Sequence, residues 1–171
     1  MNDFKTYFNP FVAIGRLAFS IFFCGLTCLL IYLMFRDFKI NGLKQYLTIL
    51  LGVTIFGTVF QIFFKAFITT TKNYLITDKT IEEFNLLTFS RKTIYKDDIK
   101  GFSTSKVPYR IWNFKQIIIY LKDGTKISLM QFAYFNFKKI KPILVDKKYN
   151  YLGHEPYIWK WFDSRVYRYD D

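Results

Sequence analysis

Residues 17–35 read LAFSIFFCGLTCLLIYLMF, and residues 45–64 read QYLTILLGVTIFGTVFQIFF. Neither run holds a charged residue, and at 19 and 20 residues each is as long as a helix must be to cross a hydrocarbon core. Arg16 and Arg36 bracket the first run, Lys44 and Lys65 the second. A Lys or Arg at the bilayer centre costs roughly 2.5–3.5 kcal/mol on insertion scales, so charges at the ends and none between are the pattern of a membrane span. Core helices of soluble proteins are usually shorter and seldom uncharged all round. The pattern therefore predicts a two-helix transmembrane hairpin within residues 1–70, with spans at about 14–35 and 45–68. Asn41-Gly42 supplies a turn signal in the short link between them.

Lys5, Arg16, Lys65, Lys72 and Lys79 stand on one side of this hairpin, against Arg36, Lys39 and Lys44 in the link. The five against three favour both termini in the cytoplasm. Cys24 and Cys28 are four apart inside the first span and read as small packing residues, not as a disulfide or a metal pair. Gly52, Thr54, Gly57, Thr58 and Gln61 in the second span predict a seam that the first helix approaches closely. A polar pathway around Gln61 would need several copies, because two spans cannot enclose a pore.

The rest of the chain carries a basic surplus. From Lys65 onward there are 20 Lys and Arg against 11 Asp and Glu, most of the formal net charge of +12. Such a surplus beside a membrane suits anionic phospholipid headgroups. No basic run or nucleic-acid motif accompanies it, so a nucleic-acid polymer is not an expected partner.

The periodicity after Lys65 is that of strands. Tyr74-Leu75-Ile76-Thr77, the turn Asp78-Lys79, and Thr80-Ile81-Glu82-Glu83-Phe84 read as a hairpin. Two short strands follow at residues 88–90 and 92–95, and Asp97-Asp98 turns the chain into a strand at 99–107 that Pro108 is expected to end. Tyr109, Arg110 and Trp112 belong to an aromatic loop or short strand at 109–114. The strongest signal is Asp123-Gly124, which as a two-residue turn sets Leu121 opposite Lys126, Tyr120 opposite Ile127 and Ile118 opposite Leu129. Ile118, Tyr120, Ile127 and Leu129 then make the core face. Phe137, Ile140 and Leu144 predict a helix within 132–147, with Asn136 as N-cap and Pro142 as a conflict. The region 71–147 is thus one small domain, and 148–171 is an aromatic-rich tail that must cover something: the sheet, lipid headgroups or a partner. Pro156 is expected to open a two-turn helix in that tail.

Six or more short strands, an Asp-Gly hairpin and then one helix give an order that resembles the bacterial pleckstrin-homology-like (PH-like) domains of small membrane proteins. The resemblance is carried by Tyr74-Leu75-Ile76-Thr77-Asp78, by Thr93-Ile94-Tyr95-Lys96-Asp97-Asp98-Ile99, by Ile118-Ile119-Tyr120-Leu121-Lys122-Asp123-Gly124 and by the helix after Phe132, across residues 71–145. It implies an α+β membrane protein: a transmembrane helical hairpin followed by a small antiparallel PH-like β-barrel capped by a C-terminal helix. It also implies a multi-pass protein of a bacterial inner membrane whose domain docks, assembles or senses lipid. The first hairpin offers only Lys72 and Lys79, so the phosphoinositide site of some eukaryotic PH domains is not implied here.

No constellation for chemistry stands out. His154 is the single histidine, the Asp97-Asp98 and Glu82-Glu83 pairs point to opposite faces of extended chain, and no glycine loop for phosphate is present. The expectation is a protein that is not an enzyme, with no cofactor and no metal. Arg91, Lys92, Lys96, Lys138, Lys139 and Lys141 are the candidate residues for binding a lipid or a partner. A protein partner and a homo-oligomer both fit this reading. The alternative function is a membrane effector of a bacterial antiphage system. Its barrel would bind a cyclic nucleotide, stacked on the loop of Tyr109, Arg110 and Trp112, and drive oligomerisation of the helices.

Overall fold

The computed structural model describes residues 3–36, 43–109, 112–160 and 165–169. Two compact units divide them: residues 10–71, and the segment up to Asn9 together with residues 72–171.

The first unit is a pair of long helices, α1 (Pro10–Arg36) and α2 (Leu43–Thr70). Both are long and apolar enough to cross a membrane, and only 6% and 0% of their apolar stretches are buried within the chain. Aromatic stacking joins them, with Phe19 and Phe63 centred 5.3 Å apart and Phe23 and Phe56 6.0 Å apart. At one end the Arg16 guanidinium donates to the Ala66 carbonyl at 2.8 Å and also to the Thr70 hydroxyl. The seam differs from the expected one. Gly52 does meet the first helix, against Leu30, but Thr54, Thr58 and Gln61 are exposed. Thr54 and Thr58 donate to carbonyls of their own helix, four residues back. Phenylalanine rings fill the interface, so close approach of small residues is not what holds it. The expected turn at Asn41-Gly42 lies outside the described residues.

The second unit holds ten strands and one α-helix among its described residues. One sheet runs in the order β1 (Phe4–Lys5), β2 (Lys72–Ile76), β3 (Thr80–Asn85) and β4 (Arg91–Tyr95). A one-turn 3-10 helix, Lys96–Asp98, leads into β5 (Ile99–Tyr109), followed by β6 (Trp112–Leu121) and β7 (Lys126–Met130). After a second such turn, Gln131–Ala133, comes α3 (Phe137–Asp146), then β8 (Tyr151–His154), β9 (Ile158–Trp159) and β10 (Arg165–Val166). The second sheet runs β7-β6-β5-β8, and β9 pairs with β10. Tyr74, Ile76, Ile81 and Ile94 of the first sheet, Phe102, Ile117, Ile119, Ile127 and Leu129 of the second, and Phe137, Ile140 and Leu144 of α3 share one core.

The architecture is therefore mixed α and β: two long apolar helices and a β-rich unit. The barrel expected from the resemblance is not closed. Among the described residues no strand of one four-stranded sheet pairs with a strand of the other, and β8 lies parallel to β5 in an otherwise antiparallel sheet. Residues 4–9, expected with the hairpin, are laced into this unit instead. Thr6 N–H donates to the Tyr74 carbonyl at 2.8 Å and the Thr6 hydroxyl accepts from the Tyr74 N–H at 2.7 Å; Asn136 donates to the Lys5 carbonyl and accepts from the Tyr7 N–H. These bonds cover the edge that β2 would otherwise leave open. Asn136 does precede α3, but with its amide spent on residues 5 and 7 it makes no side-chain cap.

Four local expectations are corrected. The Asp123-Gly124 turn has a loop of three residues, because Leu121 N–H bonds to Thr125 and Gly124 takes φ +81°. The pairing slips by one, to Tyr120 opposite Lys126, Ile119 opposite Ile127 and Ile117 opposite Leu129. The core face is then Ile117, Ile119, Leu121, Ile127 and Leu129. Pro108 does not end its strand; it pairs with Asn113 near the tip of the β5–β6 hairpin, where a missing N–H costs little. Pro142 sits inside α3 without ending it. The residues after Pro156 form β9 and not a helix.

Gly101 is the position that lets β8 lie on β5. A methyl there would stand 2.7 Å from the Asn150 carbonyl oxygen and 2.8 Å from the Leu152 side chain. Gly101→Ala is expected to lower the stability of this unit by about 1–3 kcal/mol through overpacking. Gly124→Ala, which meets no atom but must hold a positive φ, is expected to cost about 1 kcal/mol. Urea midpoints of the two variants check the ranking.

Candidate functional site

The outer face of the second sheet, which carries Tyr120 and which the expected register took for the core face, is covered by the tail. Glu155 is fully buried there. Its carboxylate accepts from the Ser103 hydroxyl at 2.8 Å, from the Tyr120 hydroxyl at 2.8 Å to each oxygen, and from the Arg168 N–H at 3.0 Å. Arg165 pairs with it at 3.2 Å, and that guanidinium also donates to Gln116 Oε1 at 2.7 Å. The Arg165 plane lies over the rings of Tyr157, at 5.1 Å, and Tyr167, at 4.9 Å. Its Nε is the single buried side-chain nitrogen or oxygen without a hydrogen-bond partner among the described residues. Tyr167 and Tyr169 stand edge-on to Tyr120, so the tail's rings pack on one another across β6. Burial, then the Glu155 carboxylate, pushes the Tyr120 hydroxyl well above its ordinary pKa and holds it neutral as a donor.

The inner face of the same sheet opens into a cleft of about 420 Å³. Ser105, Gln116, Ile117 and Phe137 are its buried lining residues. Lys106 from β5, Lys115 from β6, and Lys138 and Lys141 from α3 stand exposed around it. Thr104, Gln131, Pro142 and His154 complete the lining, and no carboxylate is among these residues. His154 Nδ1 is 3.4 Å from the Thr104 hydroxyl, and the Lys141 ammonium lies 4.4 Å over the Tyr151 ring. Such a lining can hold anions by charge and by hydrogen bonds.

The sequence-derived candidates separate. Lys138 and Lys141 reach the cleft; Lys139 does not line it. Arg91 and Lys92 are exposed on β4, where Arg91 stacks on Phe84 at 5.4 Å. Lys96 donates to the Lys147 carbonyl at 2.7 Å and covers the Tyr149 ring. Trp112 is exposed at the start of β6, whereas Arg110 and the side chain of Tyr109 lie outside the described residues. Lys106, Lys115 and Gln131 are not among the sequence-derived candidates, and His154 enters there only as a lone histidine unable to form a two-His metal site. Reading Lys106 against Lys115 across the Pro108 hairpin would have signalled them as a like-charged pair. No group of three or more His, Cys, Asp and Glu that could hold a metal occurs among the described residues.

Comparison of the chain with protein families, with curated proteins and with solved structures finds no match.

At the junction of α3 with the first sheet, Tyr149 donates to the Thr77 carbonyl at 3.0 Å, and burial, helped by Asp78, pushes its pKa up to about 12. A raised tyrosine pKa favours the folded state while both states are protonated. That contribution is whole below about pH 10, where an unfolded tyrosine titrates, and is lost as pH rises towards 12. Tyr149→Phe is expected to cost about 1 kcal/mol at neutral pH through the lost hydrogen bond, and to flatten the loss of stability above pH 10. Urea midpoints measured across that range check the sign.

Proposed function

We propose that the chain is an integral membrane protein in which α1 and α2 cross the bilayer as an antiparallel pair and the β unit serves as a non-enzymatic docking, assembly or lipid-sensing module. The observation that carries this reading is the apolar exterior of the two helices, which the described residues leave almost wholly uncovered. Lipid would take up that surface, since a soluble chain rarely exposes an apolar area of this size. The basic surplus after Lys65 supports placement of the β unit at the anionic cytoplasmic face of a bacterial inner membrane, and the charges flanking the spans favour the same orientation. Kinship with the PH-like domains rests on element order, β2 to β7 followed by α3 on one core. The parallel β8 and the N-terminal strand are additions to that plan.

The test is extraction. After expression in bacterial membranes, the full chain is expected to stay in the pellet in alkaline carbonate, and protease is expected to digest the β unit only in inside-out vesicles. Ile55→Arg, near the middle of α2, is expected to cost roughly 2.5–3.5 kcal/mol of insertion and to raise the soluble fraction. Release of the unsubstituted chain by carbonate would remove the membrane reading.

A further inference from the structure

Two pairs of like charges meet in the cleft. Lys106 and Lys115 are directly opposite each other on β5 and β6. Lys138 and Lys141 are three apart on α3, on neighbouring turns of one face. Each arrangement is unfavourable alone, since like charges opposite on a sheet and one turn apart on a helix both destabilise. Among the described residues none of the four lysines forms an ion pair. Four cations from three elements thus gather around one concavity, with no carboxylate among its described lining residues.

We propose that the cleft is a binding site for a ligand carrying two or more phosphate groups. A single carboxylate would bring one negative charge to four ammoniums. Phosphates bring more charge per group, and lysine binds them as a compact charge with three donors. The volume of about 420 Å³ lies in the range of small-molecule sites, so it takes more than one tetrahedral anion. Gln131, Thr104 and His154 add hydrogen-bonding groups to the lining. The first turn of α3 is part of the wall, through Phe137 and Lys138, and brings the positive end of the helix dipole. The ligand's phosphates belong either to a lipid headgroup or to a soluble polyphosphate; the recognition chemistry is the same. The site deepens the module reading, because it names what the β unit takes.

The test uses the full chain in neutral detergent, with inorganic tripolyphosphate as probe and titration calorimetry as readout. Saturable one-site binding is expected, and the double variant K115Q/K138Q is expected to weaken it at least about tenfold. Sulfate at matched ionic strength should bind far more weakly. K122Q/K160Q removes the same charge from exposed lysines outside the cleft and is expected to leave the affinity unchanged. The thermal midpoint of K115Q/K138Q without ligand should be equal to or above that of the parent, since a repulsion has been relieved. Absence of saturable binding, an equal loss in both double variants, or a lowered midpoint in the cleft variant would overturn the proposal. In nanodiscs, an affinity for tripolyphosphate that falls when cardiolipin, which carries two phosphates, is included assigns the site to lipid headgroups, and an unchanged affinity assigns it to a soluble ligand. A chain that binds the probe but leaves the membrane in carbonate keeps this site and loses the membrane reading. One that stays in the membrane and does not bind loses this site alone.

Discussion

A buried carboxylate facing a buried guanidinium is the constraint on which the β unit's second sheet depends. Taking Glu155 and Arg165 out of water costs several kcal/mol per ion, and their attraction alone would not offset it. The hydrogen bonds from Ser103, Tyr120 and the Arg168 N–H supply the remainder on the acidic side, and Gln116 and two tyrosine rings do so on the basic side. Every one of these partners is on β5, on β6 or in the tail. The pair therefore forms only when the tail lies across the sheet in one register, so the charge cost becomes a device for positional specificity.

Two consequences follow for the rest of the unit. The sheet is covered on both faces, by α3 and the first sheet on one side and by the tail on the other, and the buried run Ile117–Leu121 in β6 is what such a strand requires. The tail also delivers His154, next to Glu155, to the wall of the basic cleft, and sets the Tyr151 ring under Lys141. A structural node on one face thereby shapes the candidate site on the other.

Much of this was legible in the sequence, for reasons specific to each element. The two long helices declare themselves by length and lack of charge, and α3 by the spacing of Phe137, Ile140 and Leu144. The Ile76–Ile81 and Ile117–Leu129 pairings use strands that alternation marked. The slip of one residue at Asp123-Gly124 arose because Lys122 joins the loop, with Asp123 accepting from the Thr125 N–H and hydroxyl. That choice between two- and three-residue loops is made by local bonds that a dipeptide signal does not distinguish. The tail was harder still. Glu155 reads as one more acidic residue until the parallel pairing of β8 with β5, some fifty residues distant, puts it beside Tyr120. The lysines of the cleft are likewise joined by tertiary structure, with Lys138 and Lys141 expected and Lys106 and Lys115 supplied by a hairpin that runs through Pro108.

Hydrogen–deuterium exchange on the full chain and on E155Q addresses the central claim most directly, because it reads the tail and the rest of the fold separately. If the carboxylate is the node, E155Q loses amide protection in β8 (Tyr151–His154) and β10 (Arg165–Val166), while α1, α2 and the first sheet keep theirs. Unchanged protection of those tail strands in E155Q would contradict the account.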